Sequence, residues 1–199
     1  MHGLVNRSLE RFLSDTYGND VWLDVVRAAG LGFEKFESML EYDDVLTYAV
    51  LDAAADRLLK TRETLLEDLG TYLVSNPNVQ ALRRLLRFGG VTFVEFLHSL
   101  DDLHDRAKLA VPELELPKLR LLGSCETGEF KLVCKGRHAG FGRVMTGLLR
   151  AMADDYGALV LLENLGERNG AEEISIVLVE SSYADGRDFN LASPARMGA

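Results

Sequence analysis

Leu119-Arg120-Leu121-Leu122, then Glu126-Thr127-Gly128-Glu129, then Phe130-Lys131-Leu132-Val133-Cys134: here the apolar spacing of the chain changes its period. Two partly alternating apolar runs flank four polar residues that include a glycine, the pattern of a β-hairpin. Upstream, from Leu4 to about His104, apolar residues recur at spacings of three and four, as in Leu4, Leu9, Phe12, Leu13 and in Val45, Ala49, Leu51, Ala55, Leu58, Leu59. That period predicts helices. It is interrupted at Tyr17-Gly18-Asn19-Asp20, Ala29-Gly30-Leu31-Gly32, Ser75-Asn76-Pro77-Asn78 and Phe88-Gly89-Gly90, each carrying the Gly, Asn or Pro of a turn or cap, which gives roughly six helices. Downstream, helical spacing returns through Val144, Met145, Leu148, Leu149 and Met152, and residues 159–163 and 174–180 read as two more strands around a polar turn at 166–170. The second half is therefore β-β-α-β-β and the class α+β, a helical N-terminal subdomain packed on a C-terminal one with a four-stranded antiparallel sheet.

Composition sets the outer bounds. The chain has 199 residues, 47% hydrophobic and 27% charged, the balance of an ordinary globular protein rather than a disordered one. Lys plus Arg is 22 and Asp plus Glu is 31, a net charge of −9, so a phosphate backbone is repelled and nucleic-acid binding is not expected. The longest apolar run, residues 158–162, has the length of a strand and not of a membrane span. The N-terminus lacks the basic and apolar regions of a secretory signal, which makes a cytoplasmic location the expectation. Cys125 and Cys134 complete no zinc motif and read as reduced thiols.

Residues 91–104, Val-Thr-Phe-Val-Glu-Phe-Leu-His-Ser-Leu-Asp-Asp-Leu-His, read as one amphipathic helix with Phe93, Phe96, Leu97 and Leu100 on its apolar face. His104 follows Leu100 by four residues and Leu97 by seven, so it points with the core side chains, whereas His98 points outward. From spacing alone, His104 is either a core histidine satisfied by a carbonyl or a lone ligand. Zinc needs more ligands than the surroundings supply, but haem needs a single axial imidazole in an apolar pocket.

The segments Met1-x-Gly3-Leu4-Val5-Asn6, Tyr17-Gly18-x-x-Val21-Trp22 and Leu100-Asp101-x-Leu103-His104 resemble those of the haem-nitric oxide/oxygen binding family (H-NOX, or HNOB). The family includes the haem domain of soluble guanylate cyclase and stand-alone bacterial gas sensors, and the resemblance spans residues 1–180 in order. It implies a single domain over 1–180, with a distal helical subdomain at 1–60 and a proximal α/β subdomain at 61–180; the Ser, Gly, Asp and Pro content that rises from Ser181 reads separately as a poorly ordered tail at 181–199. It also implies haem b, iron protoporphyrin IX, as the cofactor, His104 as its metal ligand, and Pro117 and Val5 as apolar groups pressing on the ring. The family's Tyr-x-Ser-x-Arg motif, which clamps the haem propionates, falls here on Cys134, Gly136 and His138, so all three signature residues are missing. Arg137 and His138 are the expected substitutes.

The distal positions fall on Leu9, Leu73 and Val144, none a hydrogen-bond donor, and with Leu100 they complete the expected haem contacts. An apolar distal wall favours nitric oxide and carbon monoxide over oxygen. Gas binding would pass as a signal to a separate partner, a histidine kinase or a cyclic-di-GMP enzyme. The competing reading is a haem-less or other-ligand regulatory domain of the same fold, acting through protein-protein interaction. No catalytic signature supports an enzyme, and Asp101, Asp102 and Asp105 read as a solvated helix face.

Overall fold

The computed structural model describes residues 1–188. Eight α-helices and four strands follow in the order α1 (Gly3–Tyr17), α2 (Asn19–Ala28), α3 (Asp44–Leu58), α4 (Arg62–Ser75), α5 (Gln80–Arg87), α6 (Phe93–Ser99), α7 (Leu103–Ala110), β1 (Lys118–Ser124), β2 (Glu129–Lys135), α8 (Phe141–Tyr156), β3 (Leu159–Arg168) and β4 (Ala171–Glu180). Side chains start the helices where the sequence offers them. Asp43 caps α3 by accepting from Val45 N, Thr61 caps α4 by accepting from Thr64 N, and Thr92 with Glu95 forms a reciprocal capping box on α6. The four strands form one antiparallel sheet in the order β1-β2-β4-β3, as the β-β-α-β-β reading requires.

Two elements differ from the sequence reading. Residues 91–104 do not form one helix: α6 ends at Ser99, a 3-10 turn occupies Leu100–Asp102, and α7 begins at Leu103. Asp101 Oδ1 accepts from Leu121 N at 2.6 Å and so ties this turn to β1. The turn between β3 and β4 is also shorter than residues 166–170. The strands extend to Arg168 and from Ala171, leaving Asn169 and Gly170, both at positive φ, as a two-residue connection, with a register shift between Asn164 and Gly166. Of the expected loose tail, residues 181–188 fold back on α8, with Tyr183 N and Ala184 N bonding Gly157 O and Arg187 N bonding Asp155 O. The remainder, 189–199, lies outside the described residues.

Two hydrophobic cores result. The first lies among α1–α4 and the irregular segment 29–43, around Phe12, Leu13, Trp22, Phe36, Val50 and Leu65. That segment is held by Trp22 Nε1 donating to Glu34 O and by the buried Glu10 carboxylate accepting from Phe36 N. The second core lies between the inner sheet face and α5–α8, around Phe96, Leu97, Leu132, Leu149, Met152 and Ile174. Helices α4 and α8 join the two, and they cross closely. A Cβ at Gly70 would stand 1.9 Å from Val144 O, and one at Gly147 would stand 1.9 Å from Glu67 O. Only glycine at both positions lets the backbones approach this far.

Candidate functional site

A cavity of about 540 Å³ opens between the two cores, a size typical of small-molecule sites. Val5 and Leu9 of α1, Leu51 of α3, and Leu66 and Leu69 of α4 form one side; His104, Leu116, Pro117, Phe141 and Val144 form the other. Pro117 is buried and His104 is half-buried. The Nδ1 of His104 lies 2.7 Å from Leu116 O. A carbonyl oxygen can only accept, so Nδ1 carries a proton, and in the neutral ring the lone pair is left on Nε2. The imidazole is thus fixed in tautomer by the backbone and offers one basic nitrogen, which has no hydrogen-bond partner among the described residues.

The mouth is built by the loop between β2 and α8. Glu172 of β4 holds this loop: its carboxylate accepts from Gly140 N at 3.0 Å and from Gly142 N at 2.9 Å, taking the place an anion would have at the start of α8. Gly136 lies against Pro117, where a Cβ would stand 2.7 Å from the proline Cβ. Arg137 and His138 reach Asp44 at the start of α3, at 3.3 and 3.7 Å. Cys134 faces the second core instead, and burial pushes its thiol up to about 12. Both cysteines are free thiols.

A model of the Haem-NO-binding family matches residues 2–163. The chain belongs to this family. Among curated relatives of this Haem-NO-binding chain, soluble guanylate cyclase gcy-31 of Caenorhabditis elegans is 23% identical over 155 residues, covering 78% of this chain and 22% of that protein. Soluble guanylate cyclase 89Db of Drosophila melanogaster is 23% identical over 162 residues, covering 80% and 24%. The chain therefore spans about a quarter of the length of these relatives. Among solved structures, an H-NOX protein from S. oneidensis in the Fe(II) ligation state superposes with a TM-score of 0.77 at 17% identity, covering 91% of this chain and 97% of that one. An oxygen-binding H-NOX domain related to soluble guanylate cyclases, as its oxygen complex, superposes with a TM-score of 0.70 at 16% identity, covering 94% and 100%. The fold is that of an H-NOX domain.

The residues of this Haem-NO-binding chain suit a haem on one side more plainly than on the other. His104, with Nδ1 engaged and Nε2 free, has the chemistry of an axial ligand whose second ring nitrogen is anchored. At the mouth, Cys134 is withdrawn into the core and Gly136 has no room for a side chain, so Arg137 and His138 are the polar groups placed to meet a ligand carboxylate.

Of the residues singled out in the sequence, Val5, Leu9, His104, Pro117, Arg137, His138 and Val144 line this one cavity, and Leu73 and Leu100 do not. Leu73 lies one turn beyond Leu69 on α4 and packs against the first core. Leu100 is fully buried in the second core, because the 3-10 turn at 100–102 advances three residues per turn and carries it off the face His104 occupies. The side chains of α3 and α4 in the lining, Tyr48, Leu51, Leu66 and Leu69, were not legible in the sequence. They follow the same apolar period as the core residues beside them and carry no separate signal. Tyr48 brings a hydroxyl to a lining expected to lack donors; the other, Thr47, spends its proton on Asn6 Oδ1 at 2.6 Å. No helix among the described residues is long and apolar enough to cross a membrane.

Proposed function

We propose that the chain is a haem-based nitric oxide sensor, with haem b in the cavity and His104 as its metal ligand. The observation that carries this reading is the His104 imidazole, pinned through Nδ1 to Leu116 O and presenting Nε2 on the wall of a largely apolar cavity. When bound, the haem iron supplies the coordination position for the gas. Everything else belongs to the chain. Val5 and Pro117 would be the apolar groups against the ring, and Leu9, Leu66, Leu69 and Val144 make the lining largely apolar, which supports nitric oxide and carbon monoxide as ligands over oxygen, with the Tyr48 hydroxyl the exception to be tested. A load placed on His104 by a bound haem would act on α7 and, through the 3-10 turn held by Asp101, on β1. The reading is of a cytoplasmic, non-enzymatic domain whose receiver is a separate signalling protein such as a histidine kinase or a cyclic-di-GMP enzyme.

Absorption spectra of the protein expressed with haem supply, beside His104→Ala and Tyr48→Phe, test this. A haem band that needs His104, is indifferent to air in both wild type and Tyr48→Phe, and shifts with nitric oxide is the expected result. A band that forms an oxygen complex in wild type and loses it in Tyr48→Phe would replace nitric oxide sensing by oxygen binding. The second reading, a haem-less regulatory domain of the same fold, is favoured by the retreat of Cys134 and the blocked position of Gly136; a wild type that stays colourless on reconstitution would establish it.

A further inference from the structure

The mouth of the cavity already holds an anion, and it is one of the chain's own. Oδ1 of Asp44 receives the terminal nitrogen of Met1 at 2.6 Å. Its Oδ2 faces Arg137 Nη2 at 3.3 Å and His138 Nδ1 at 3.7 Å. The hydrogen bond from the terminal ammonium, helped by the His138 and Arg137 charges, holds this carboxyl below its ordinary range.

Cations continue around it. Lys118 and Lys135 stand directly opposite each other in the β1–β2 register, a like-charged cross-strand pair that costs stability unless an anion lies near. Both line the cavity with Lys108, and none of the three has an ion-pair partner among the described residues. Glu115 is the carboxylate that lines the same cavity, and it is exposed. On the outer side of the mouth Glu41 and Glu113 join Glu115 around Arg137 and His138, so it is the three unpaired lysines of the cavity, and not the net charge of this end, that favour an anion within.

We infer that Asp44 is a resident counter-ion: it occupies the anion subsite formed by Arg137 and His138, and a ligand entering the cavity must exchange one of its own carboxylates for Asp44. The inference rests on the cavity being a tetrapyrrole site and adds how that ligand is admitted. Arg137 is 73% exposed and the Asp44 side chain 25%, so the resident pair is solvated and weak. A weak internal pair keeps the guanidinium in place at the mouth while the cavity is empty of ligand, yet yields to a carboxylate that arrives attached to a large apolar ring. Recognition by exchange replaces the hydroxyl-bearing clamp that Cys134 and Gly136 cannot form.

The test titrates the full chain with iron-free protoporphyrin IX, which His104 cannot ligate, and with its dimethyl ester, which carries no carboxylate. Binding is read from quenching of the single tryptophan, Trp22, and from porphyrin absorbance. Asp44→Asn keeps the shape of the side chain and removes its charge; it is expected to bind the diacid roughly two- to fivefold more tightly, with the ester unchanged. The double variant Arg137→Ala, His138→Ala is expected to weaken the diacid about tenfold, again sparing the ester. The gain in Asp44→Asn should vanish near 1 M salt. Diacid and ester binding that respond alike in all variants would overturn the exchange while leaving the porphyrin reading intact. Absence of binding by either porphyrin, in wild type and Asp44→Asn alike, would overturn both.

Discussion

Two stretches line the same cavity and are held in different ways: residues 104–117, which carry His104 and Pro117, and residues 134–142, which carry the mouth. The first is secured by backbone and core. His104 bonds a carbonyl, Leu103 beside it is buried in the second core, and Pro117 is buried. The second is secured by carboxylates, Glu172 on its backbone and Asp44 on the largely exposed Arg137 and on His138. A position held by packing tolerates little change in shape, whereas one held by charge can be rebuilt with other residues. Here the histidine of the Leu-Asp-x-Leu-His segment, the proposed ligand, is present and the polar clamp is not.

The largest expected effect comes from releasing the mouth. Glu172→Ala leaves Gly140 N and Gly142 N without their acceptor, and should destabilise the chain by about 2–4 kcal/mol in urea unfolding. Haem binding that depends on His104 should persist in the folded fraction; its complete loss would show that the two stretches are not separable. Next comes the point where they touch. Gly136→Ser returns the family's serine, but its Cβ meets Pro117 at 2.7 Å, so it should cost about 1–3 kcal/mol and shift Pro117 rather than strengthen binding. A serine variant of wild-type stability that binds haem more tightly would refute that account of the missing residue.

Smaller effects sharpen the comparison. The folded-state carboxyl of Asp44 lies below 3.8, so its contribution is complete above that pH and lost as pH falls through the lowered value. Asp15, lowered first by its bond from Asn78 and then by that from Tyr72, acts in the same direction. Asp44→Asn should therefore flatten the acid limb of a stability-pH profile below about pH 4, by no more than about 0.5 kcal/mol because the group is partly solvated. An unchanged limb would mean that Asp44 is unpaired in solution. Smallest of all, Lys118→Glu turns a like-charged cross-strand pair into an opposite one and should stabilise by about 0.5 kcal/mol while weakening binding of an anionic porphyrin. A gain in both would count against a cationic mouth.

Much of the fold was legible because period reports local structure directly. The β-β-α-β-β order followed from the change of spacing after residue 112, and the helices from their three- and four-residue apolar spacing and the Gly, Asn and Pro breaks between them. The break at Leu100–Asp102 was hidden, since three-residue and four-residue spacings coincide over so short a run and the tie from Asp101 to β1 is tertiary. His104 could be singled out by its motif and its place on an apolar face, but its partner, Leu116 O, is a backbone atom twelve residues on and leaves no mark in side-chain pattern. Asp44, 93 residues from Arg137, is likewise brought to the mouth only by the packing of α3 against the rest.

The glycine crossing of α4 and α8 has a mechanical side. At Gly70 and Gly147 the two backbones rest on each other with no side chain between them, and neither can slide along the other without collision. Two such contacts, Gly70 against Val144 and Gly147 against Glu67, hold the helices in one register, and Val144, whose carbonyl abuts Gly70, also lines the cavity. The part of the lining carried by α4 and α8 therefore has a width set by backbone against backbone, which no change of rotamer can relax.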